Sequence, residues 1–274
     1  MYSGLRIPFQ SMGAVQQQMD TISNNLSNAE TTGFKSRQAT FSEMMYQQED
    51  NMPMPENGTG RLTPPGIRTG GGAAIGQTAL RMEQGALKES ERELDFALED
   101  KDTFFQIEAE DGTTEYTRDG QLYLSENPAA SGSYTLVDQN GGFVLNEAGG
   151  RFDIPAGTSE FSMQENGELT GVTAAGETVN IGSFGIVQVE RPQALTSVGG
   201  NRYRFEDLDG LGAAENDMVI EADPSSVKQG MVEQSNVDLS NELVNMMNAQ
   251  RQYSFNSRAL TQGDQMLGLI NSIR

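Results

Sequence analysis

Hydrophobic side chains recur every seven residues near the N terminus of the chain. Two columns offset by three positions form the repeat, which is the spacing of a and d positions in a coiled coil. The first column contains Leu5, Met12, Met19 and Leu26, and the second contains Val15, Ile22 and Ala29. Pro8 lies close to the start of the segment, where a helix tolerates proline. The pattern predicts a helix that ends near Asn28, before a turn in which Gly33 takes a positive φ.

The C-terminal segment repeats the seven-residue pattern over a longer distance. Its main column contains Leu239, Met246, Tyr253, Leu260 and Leu267. The stripe is widened by Leu243, Val244, Met247, Ala249 and Ile270. Five sustained column positions predict one long helix, with Ser235 and Asp238 as a capping box where it begins. We interpret the two matched stripes as helices that pair in a coiled coil. The alternative is an ordinary helix packed on its own domain.

The middle of the chain alternates short apolar runs with turn residues. Asp111-Gly112 separates residues 104–110 from residues 113–118, which is the pattern of a two-residue β-hairpin. Asp119-Gly120 then leads into a third strand, which predicts a meander. The remaining predicted strands, counting that third one, are 121–124, 134–137, 143–145, 169–172, 186–190 and 202–206. Because no helical crossovers interrupt these runs, an antiparallel arrangement is expected.

Proline marks the same division of the chain. It is absent between Phe9 and Met52 and again from Ser225 to Arg274. We therefore predict an α+β fold in which an antiparallel all-β middle domain is inserted between two terminal helices that pair as a coiled coil. The predicted regions are an N-terminal helix (1–35), an extended arm or linker (36–93), a β-rich middle domain (94–227) and a C-terminal helix (228–274). The Pro- and Gly-rich residues 47–77 fit either a flexible linker or an arm that orders against neighbouring subunits.

Composition excludes several kinds of chemistry. The 274 residues include no cysteine and no histidine, which excludes a Ser-His-Asp triad, a cysteine nucleophile and an ordinary structural zinc or haem site. The net charge of −21 argues against a nucleic-acid partner, because phosphate binding needs a basic surface. We expect no transmembrane helix, since no run of about 18 apolar residues is present. The pattern of a secretory signal peptide is also missing from residues 1–10.

The negative charge is concentrated in the middle of the chain. Residues 1–50 carry a net charge of −2, and residues 228–274 carry a net charge of 0. Near-neutral ends would let many copies pack closely, while an acidic middle would keep the exposed part self-repelling. The alternative is that the helical ends are balanced by coincidence.

Two motifs resemble the signatures of flagellar rod, hook and hook-associated proteins. Near the N terminus the matching residues are Asn25, Leu26, Asn28, Thr31, Gly33, Phe34 and Lys35. Near the C terminus they are Ser235, Asn236, Val237, Asp238, Ala249, Gln250, Arg251 and Tyr253. Segments 84–87, 94–98, 104–107 and 116–120 follow the order seen in distal-rod proteins, so the resemblance covers most of the chain outside 47–77. One departure is at 99–103, where the family has a Gly-x-Gly turn and this chain has no glycine.

The resemblance implies a structural subunit of the distal rod, the axial drive shaft of the flagellar basal body, without enzymatic activity, cofactor or metal. It implies export across the cytoplasmic membrane by the flagellar export apparatus, without a cleaved signal peptide and without membrane insertion. The subunits would then polymerise into a helical tube through their terminal helices. The implied partners are copies of the chain itself and other rod and hook proteins. The alternative within the family is a hook or hook-associated axial protein.

Two other classes of function have weaker support. A cell-wall hydrolase needs a pair of carboxylates, but Glu108 with Glu110, or Glu206 with Asp207 and Asp209, fit solvated charges on strands and loops better. A calcium-binding loop at 207–210 has the wrong spacing of ligands. We interpret that segment as a turn.

Overall fold

The computed structural model describes residues 3–43, 47–49, 67–69, 72–109, 111–127, 132–206 and 218–272. This part of the chain contains two α-helices, α1 (Ser3–Ser27) and α2 (Leu239–Ser272), with mostly antiparallel strands between them. The predicted α+β class is confirmed. Helix α1 ends one residue from the predicted position near Asn28. Among the described residues, no helix is both long and apolar enough to cross a membrane.

The chain divides into two compact units. Unit 1 comprises Met1–Leu26, Arg37–Ala79 and Leu239–Arg274, and unit 2 comprises Ser27–Ser36 and Leu80–Asp238. The chain therefore passes between the units after residues 26, 36, 79 and 238. The predicted domain boundaries after residues 35, 93 and 227 stay a prediction.

Unit 1 contains both helices and the strands between residues 37 and 79. Its strands are β1 (Arg37–Glu43), β2 (Gln47–Glu49), β3 (Ile67–Thr69) and β4 (Ala73–Leu80), of which Leu80 already belongs to unit 2. Strand β1 pairs with β4, and β2 pairs with β3 in antiparallel register. Within the Pro- and Gly-rich segment 47–77, residues 47–49, 67–69 and 73–77 lie in these paired strands. Residues 50–66, 70 and 71 lie outside the described residues.

Unit 2 is built from short strands. They are β5 (Leu87–Glu89), β6 (Phe96–Leu98), β7 (Thr103–Glu108), β8 (Thr114–Thr117), β9 (Tyr123–Glu126), β10 (Ser133–Val137), β11 (Phe143–Val144), β12 (Ile154–Pro155), β13 (Thr158–Met163), β14 (Glu168–Thr173), β15 (Thr178–Ser183), β16 (Ile186–Val189), β17 (Leu195–Gly199), β18 (Arg202–Phe205), β19 (Val219–Glu221), β20 (Val227–Gln229) and β21 (Met231–Glu233).

The main sheet of unit 2 has the order β12-β10-β11-β7-β8-β18-β17, with β9 on β10, β16 on β7 and β19 on β16. A separate sheet has the order β13-β14-β15, and two pairs, β5–β21 and β6–β20, join the start of the unit to its end. Adjacent residues of a strand face opposite sides of a sheet. Accordingly, Phe104 and Phe105 of β7 lie in two different buried apolar clusters. In one of them the Phe184 ring contacts the rings of Phe96, Phe105 and Phe152.

The hairpin predicted at Asp111-Gly112 is confirmed. Strands β7 and β8 pair across the turn in which Gly112 has a φ of 80°. Strands β10 and β11 pair, as do β13 and β14. The predicted meander is wrong, because β9 pairs with β10 and not with β8. After β8 the chain runs close to Phe96, whose N–H donates to the Gly120 carbonyl at 2.9 Å. This close approach takes the chain away from β8 and leaves that edge to β18.

The turn that lacks glycine is formed with an aspartate. Asp102 has a φ of 64°, a left-handed conformation that aspartate tolerates better than most residues. Two hydrogen bonds stabilise the turn: Val189 N–H donates to the Asp102 carbonyl at 2.9 Å, and Thr103 Oγ1 donates to the Asp100 carbonyl at 2.8 Å. The departure from the family pattern at 99–103 is therefore accommodated locally.

The predicted capping box of α2 is wrong in one respect. Helix α2 begins at Leu239, so Asp238, and not Ser235, precedes its first turn. Residues 234–236 lie outside any helix or strand and are held by two hydrogen bonds, from Gln234 N–H to the Ala86 carbonyl (2.9 Å) and from Asn236 N–H to the Phe34 carbonyl (3.4 Å). These bonds prevent the helix from starting at Ser235.

Candidate assembly site

Helices α1 and α2 pack through a small apolar cluster in unit 1. Its buried members are Val15 and Ile22 of α1 and Ala249 of α2. The partly buried side chains around them are Met19, Met246 and Tyr253. These positions recur every three or four residues, so each helix contributes one face. Each large apolar side chain that is fully buried in such a contact stabilises it by roughly 1.5–3 kcal/mol.

Asn25 adds a polar link beside this cluster. Its side chain is 1% exposed. The amide Nδ2 donates to the Arg37 carbonyl at 2.8 Å and to Glu242 Oε1 at 3.1 Å, and Oδ1 accepts from Arg37 N–H at 2.9 Å. Asn25 thus joins α1 to both β1 and α2 while its own hydrogen-bonding groups are satisfied, which a buried amide requires.

The other residues of the predicted stripes are less buried. Partly buried positions are Met12, Leu26, Leu260 and Leu267, whereas Leu239 and Leu243 are exposed. The side chain of Leu5 lies outside the described part of the structure. The structure therefore brings the middle of the two predicted stripes together, and it does not bury Leu239 and Leu243.

A second apolar stripe lies on the opposite, exposed side of α2. Met247, Phe255, Met266 and Leu269 are 50%, 66%, 64% and 63% exposed. Their separations of eight, eleven and three residues are close to whole helical turns, so they share one side of the helix. Met247 and Phe255 also line a shallow concavity together with Gln250, Arg251, Ser254 and Arg258. Sequence reasoning named Met247 but missed Phe255, although the same spacing rule would have found both.

A buried charge network holds the N-terminal motif within unit 2. Lys35 Nζ lies 2.7 Å from Glu233 Oε1, and Arg118 Nε lies 2.8 Å from Glu233 Oε2. All three side chains are at most 1% exposed. Arg118 also donates to the carbonyls of Asp100 and Thr103. Burial lowers the pKa of the Lys35 ammonium, the charge of Arg118 lowers it further, and Glu233 opposes both effects.

The turn at Thr32-Gly33 is seated against the main sheet of unit 2. Gly33 has a φ of 65°, and a Cβ at this position would lie 2.6 Å from the Arg118 carbonyl group. Its N–H donates to the Glu233 carbonyl at 2.7 Å. Thr32 Oγ1 donates to Asp119 Oδ1 at 2.9 Å, and Asn201 Nδ2 donates to the Thr32 carbonyl at 2.8 Å. The predicted positive φ of Gly33 is confirmed.

Asn236, from the C-terminal motif, binds two other segments of unit 2. Its Oδ1 accepts from Ser36 N–H at 2.7 Å. Its Nδ2 donates to the Arg81 carbonyl at 2.8 Å and to the Glu83 carbonyl at 2.9 Å. One side chain therefore connects the segment after α1, the segment before β5 and the segment before α2.

Asn28 and Ser235, which also belong to the motifs, form hydrogen bonds with residues close to them in sequence. Asn28 Oδ1 accepts from Thr31 Oγ1 at 3.2 Å, and Ser235 Oγ accepts from Val237 N–H at 3.4 Å. Gln250 and Arg251 lie on the exposed side of α2. Sequence reasoning did not single out Arg118 or Glu233 as site residues. Arg118 lies in the matching segment 116–120, and Glu233 lies two residues before the C-terminal motif. A charged residue at such a position is a signal that could have identified them.

Of the carboxylates considered for hydrolysis, Glu108 and Glu206 lie in the described part of the chain. Glu108 accepts from Arg151 Nε at 2.7 Å, and this bond lowers the pKa of the Glu108 carboxyl. Glu206 lies 3.6 Å from Arg204. Glu110 and the predicted turn at 207–210 lie outside the described residues. Among the described side chains, no group of three or more acidic residues is arranged to bind a metal ion.

Comparison with known families matches three segments of the chain. Residues 11–35 match the flagella basal body rod protein family. Residues 100–171 match the flagellar hook protein FlgE/F/G D1 domain. Residues 228–273 match the flagellar basal body rod FlgEFG protein C-terminal family. The first and third segments contain the two motifs, and the second contains β7, β8 and the strands up to β14.

Relatives of similar length align over nearly the whole chain. The flagellar hook-basal body complex protein FlhP of Bacillus subtilis (strain 168) is 38% identical over 272 residues, covering 96% of each chain. The flagellar basal-body rod protein FlgG of the same organism is 33% identical, covering 97% of this chain and 96% of the relative. FlgG of Borreliella burgdorferi is also 33% identical, covering 96% and 95%. The chain therefore belongs to the flagellar basal-body rod protein family.

Proposed function

We propose that the chain is a structural subunit of the distal rod of the bacterial flagellum and that it assembles through its terminal helices. The observation that carries this proposal is the second apolar stripe of α2. A helix that packs one face in its own unit and exposes Phe255, Met266 and Leu269 on the other has surface to bury in a further contact. In a chain that aligns with FlgG over 97% of its length, a neighbouring subunit is the natural partner for that surface.

The two faces of α2 have different roles in this proposal. The inner face, with Met246, Ala249 and Tyr253, pairs with α1 as a short coiled coil. The outer face, with Met247 and Phe255, packs against the helices of the next copy. Because each copy repeats the same head-to-tail contact, the assembly grows as an open helical filament.

The distribution of charge supports dense packing of the helices. Residues 228–274 have no net charge, so adjacent copies of α2 would not repel each other strongly. Most of the net charge of −21 lies between residues 51 and 227. The proposal places that acidic part away from the densest contacts, where repulsion between copies costs least.

Several parts of the proposal follow from the family. The subunit would reach the basal body through the flagellar export apparatus, without a cleaved signal peptide, and would contact other rod and hook proteins. It would act without catalysis. A hydrolase requires a pair of catalytic carboxylates. Glu108 accepts a hydrogen bond from Arg151, so it gives no support to a hydrolase function.

A deletion strain tests the proposal directly. Loss of a rod subunit should abolish the hook and filament, and re-expression of the full chain should restore both. Electron microscopy of isolated basal bodies would show whether the remaining structure stops at the rod. Intact hooks in the deletion strain would exclude a rod role and favour a hook-associated protein.

A second candidate is a hook-basal-body protein with another position in the axial structure. The relative FlhP, named a hook-basal body complex protein, is 38% identical to this chain. Labelling the chain at an exposed residue and locating the label in purified basal bodies would distinguish the two positions. A label beyond the rod would favour the second candidate.

A further inference from the structure

Three of the four passages of the chain between the units lie within two residues of one cluster in unit 2. Ser36 precedes the passage after residue 36, Arg81 follows the passage after residue 79, and Asn236 precedes the passage after residue 238. The passage after residue 26 starts the same short segment, 27–36, that ends at Ser36. We call Lys35, Ser36, Arg81, Glu83, Glu233 and Asn236 the connector clamp.

The connector clamp is held by hydrogen bonds between segments that are distant in sequence. Ser36 and Asn236 are 200 residues apart, yet Ser36 N–H donates to Asn236 Oδ1 at 2.7 Å. Arg81 N–H donates to the Ser36 carbonyl at 2.9 Å. The Glu83 carbonyl accepts from both Asn236 Nδ2 and Lys35 Nζ, each at 2.9 Å. The Asn236 side chain thus bonds to both of the other segments of the clamp, as Lys35 does through the Glu83 carbonyl and Glu233 Oε1.

Closing the clamp lowers the entropic cost of bringing α1 and α2 together. In an open chain the two helices are separated by a loop of about 200 residues. With the clamp closed, short connections lead from it to Ser27 and to Leu239. Loop-closure cost scales with the logarithm of length with a coefficient of 3/2, so replacing about 200 residues by about 10 favours pairing roughly 100-fold. This gain requires no contact between the clamp and the helices.

We propose that Asn236 is a positioning residue that preorganises the pairing of α1 with α2 by closing the connector clamp. The inference deepens the proposed function, because it rests on the pairing of the terminal helices. It gives the Asn of the C-terminal motif a role within one subunit. Asn236 raises the effective concentration of α1 near α2 and makes no contribution to the apolar cluster itself.

Hydrogen exchange of the full chain carrying Asn236→Ala tests the proposal. Losing three side-chain hydrogen bonds should speed exchange of the Ser36 and Arg81 amides by about tenfold to 100-fold. Exchange around Ile22 in α1 and Ala249 in α2 should also become faster, although neither residue belongs to the connector clamp. Amides of β7 and β8 should keep their protection, because they report global unfolding of unit 2.

Two further variants complete the test. Asn166→Ala removes comparable bonds to Glu168 at an exposed hairpin turn, and it should leave both helices unchanged. Asn236→Asp keeps the acceptor for Ser36 N–H but loses the bonds to Arg81 and Glu83. It should change exchange in the same direction as Asn236→Ala, and it serves if that variant does not fold.

Three outcomes would overturn the inference. In the first, the Ser36 and Arg81 amides exchange faster while the helices do not change. In the second, β7 and β8 lose protection by the same factor as the helices, so that Asn236 only supports global stability. In the third, α1 and α2 are unprotected in the unmodified chain, which would remove the helix pairing of the proposed function as well.

Discussion

The ammonium nitrogen of Lys35 lies 2.7 Å from Oε1 of Glu233, and both side chains are 1% exposed. The second oxygen of Glu233 accepts from Arg118 at 2.8 Å. One carboxylate therefore compensates two buried cations. The two ends of the network are not equivalent, since removing the carboxylate leaves both cations without their charge partner, while removing Lys35 leaves one ion pair intact.

Glu233→Gln should destabilise the protein more than Lys35→Met. Breaking a buried ion pair by removing one partner costs about 3–5 kcal/mol, and Glu233→Gln affects two pairs at once. Urea unfolding of the full chain measures the difference. Glu99→Gln is the control, because it breaks an ion pair with Lys228 in which both side chains are about half exposed, worth about 0–1 kcal/mol. Equal losses for Lys35→Met and Glu233→Gln would contradict the shared-carboxylate interpretation.

Gly33→Ala should be far more harmful than Gly112→Ala. Both glycines have a positive φ, but a Cβ at Gly33 would lie 2.6 Å from the backbone of Arg118, whereas a Cβ at Gly112 would have no described atom within 4 Å apart from its chain neighbours. The left-handed conformation alone costs about 1–2 kcal/mol, and overpacking at Gly33 adds about 1–3 kcal/mol. Chemical denaturation should therefore separate the two variants. Similar unfolding free energies would show that the Thr32-Gly33 turn can move away from the sheet.

Asp119 should give the stability an unusual dependence on pH. Burial raises the pKa of its carboxyl above the usual 3.8, and the charges of Asp138 and Asp95 act in the same direction. The folded state then binds the proton more tightly than the unfolded chain. The contribution of Asp119 protonation to the free energy of unfolding is fully present below pH 3.8 and is lost as the pH rises through the raised pKa. Relative to Asp119→Asn, the unmodified chain should lose unfolding free energy over that window.

Asp111→Asn is the control for this pH series. Hydrogen bonds from the side chain and the backbone of Thr113 lower the pKa of the exposed Asp111 carboxyl. The sign is therefore reversed: the unmodified chain should gain stability relative to Asp111→Asn as the pH rises through the lowered pKa. Urea unfolding at a series of acidic pH values measures both. The same sign for the two variants would refute the assignment to Asp119.

Phe255→Asp should block assembly without unfolding the subunit. Phe255 is 66% exposed, so the substitution should leave the unfolding free energy of the isolated chain nearly unchanged. If Phe255 is central to the contact between copies, its loss should reduce hook-bearing basal bodies by at least about tenfold. The comparison variant is Ile220→Asp in β19, at a residue that is 51% exposed in unit 2. Equal assembly of both variants would show that the outer face of α2 is not an assembly contact.

Sequence patterns identified the elements that depend on local spacing. The seven-residue columns located both helices, and turn dipeptides such as Asp111-Gly112 located the hairpins. Apart from the packing of α1 with α2, they did not predict contacts whose partners are far apart in sequence. The bond of Phe96 to the Gly120 carbonyl, which removes β9 from the predicted meander, leaves no periodic signal. The same is true of Glu233, whose two cations come from residues 35 and 118.

The outer stripe of α2 shows a different limit. Phe255 and Leu269 follow helical spacing as well as Met246 and Tyr253 do, so periodicity alone cannot separate the face that packs against α1 from the face that stays exposed. Only the packing of Ala249 beside Val15 and Ile22 distinguishes them.

The hydrogen bond between Asn236 N–H and the Phe34 carbonyl has a consequence for modularity. It holds together the two segments by which the chain leaves unit 2, after residues 36 and 238. The strands of unit 2 away from these exits can therefore be enlarged, shortened or exchanged for a foreign domain while the segments that lead to α1 and α2 are kept. Chimaeras that keep the connector clamp would be a practical way to give one pair of terminal helices different β domains.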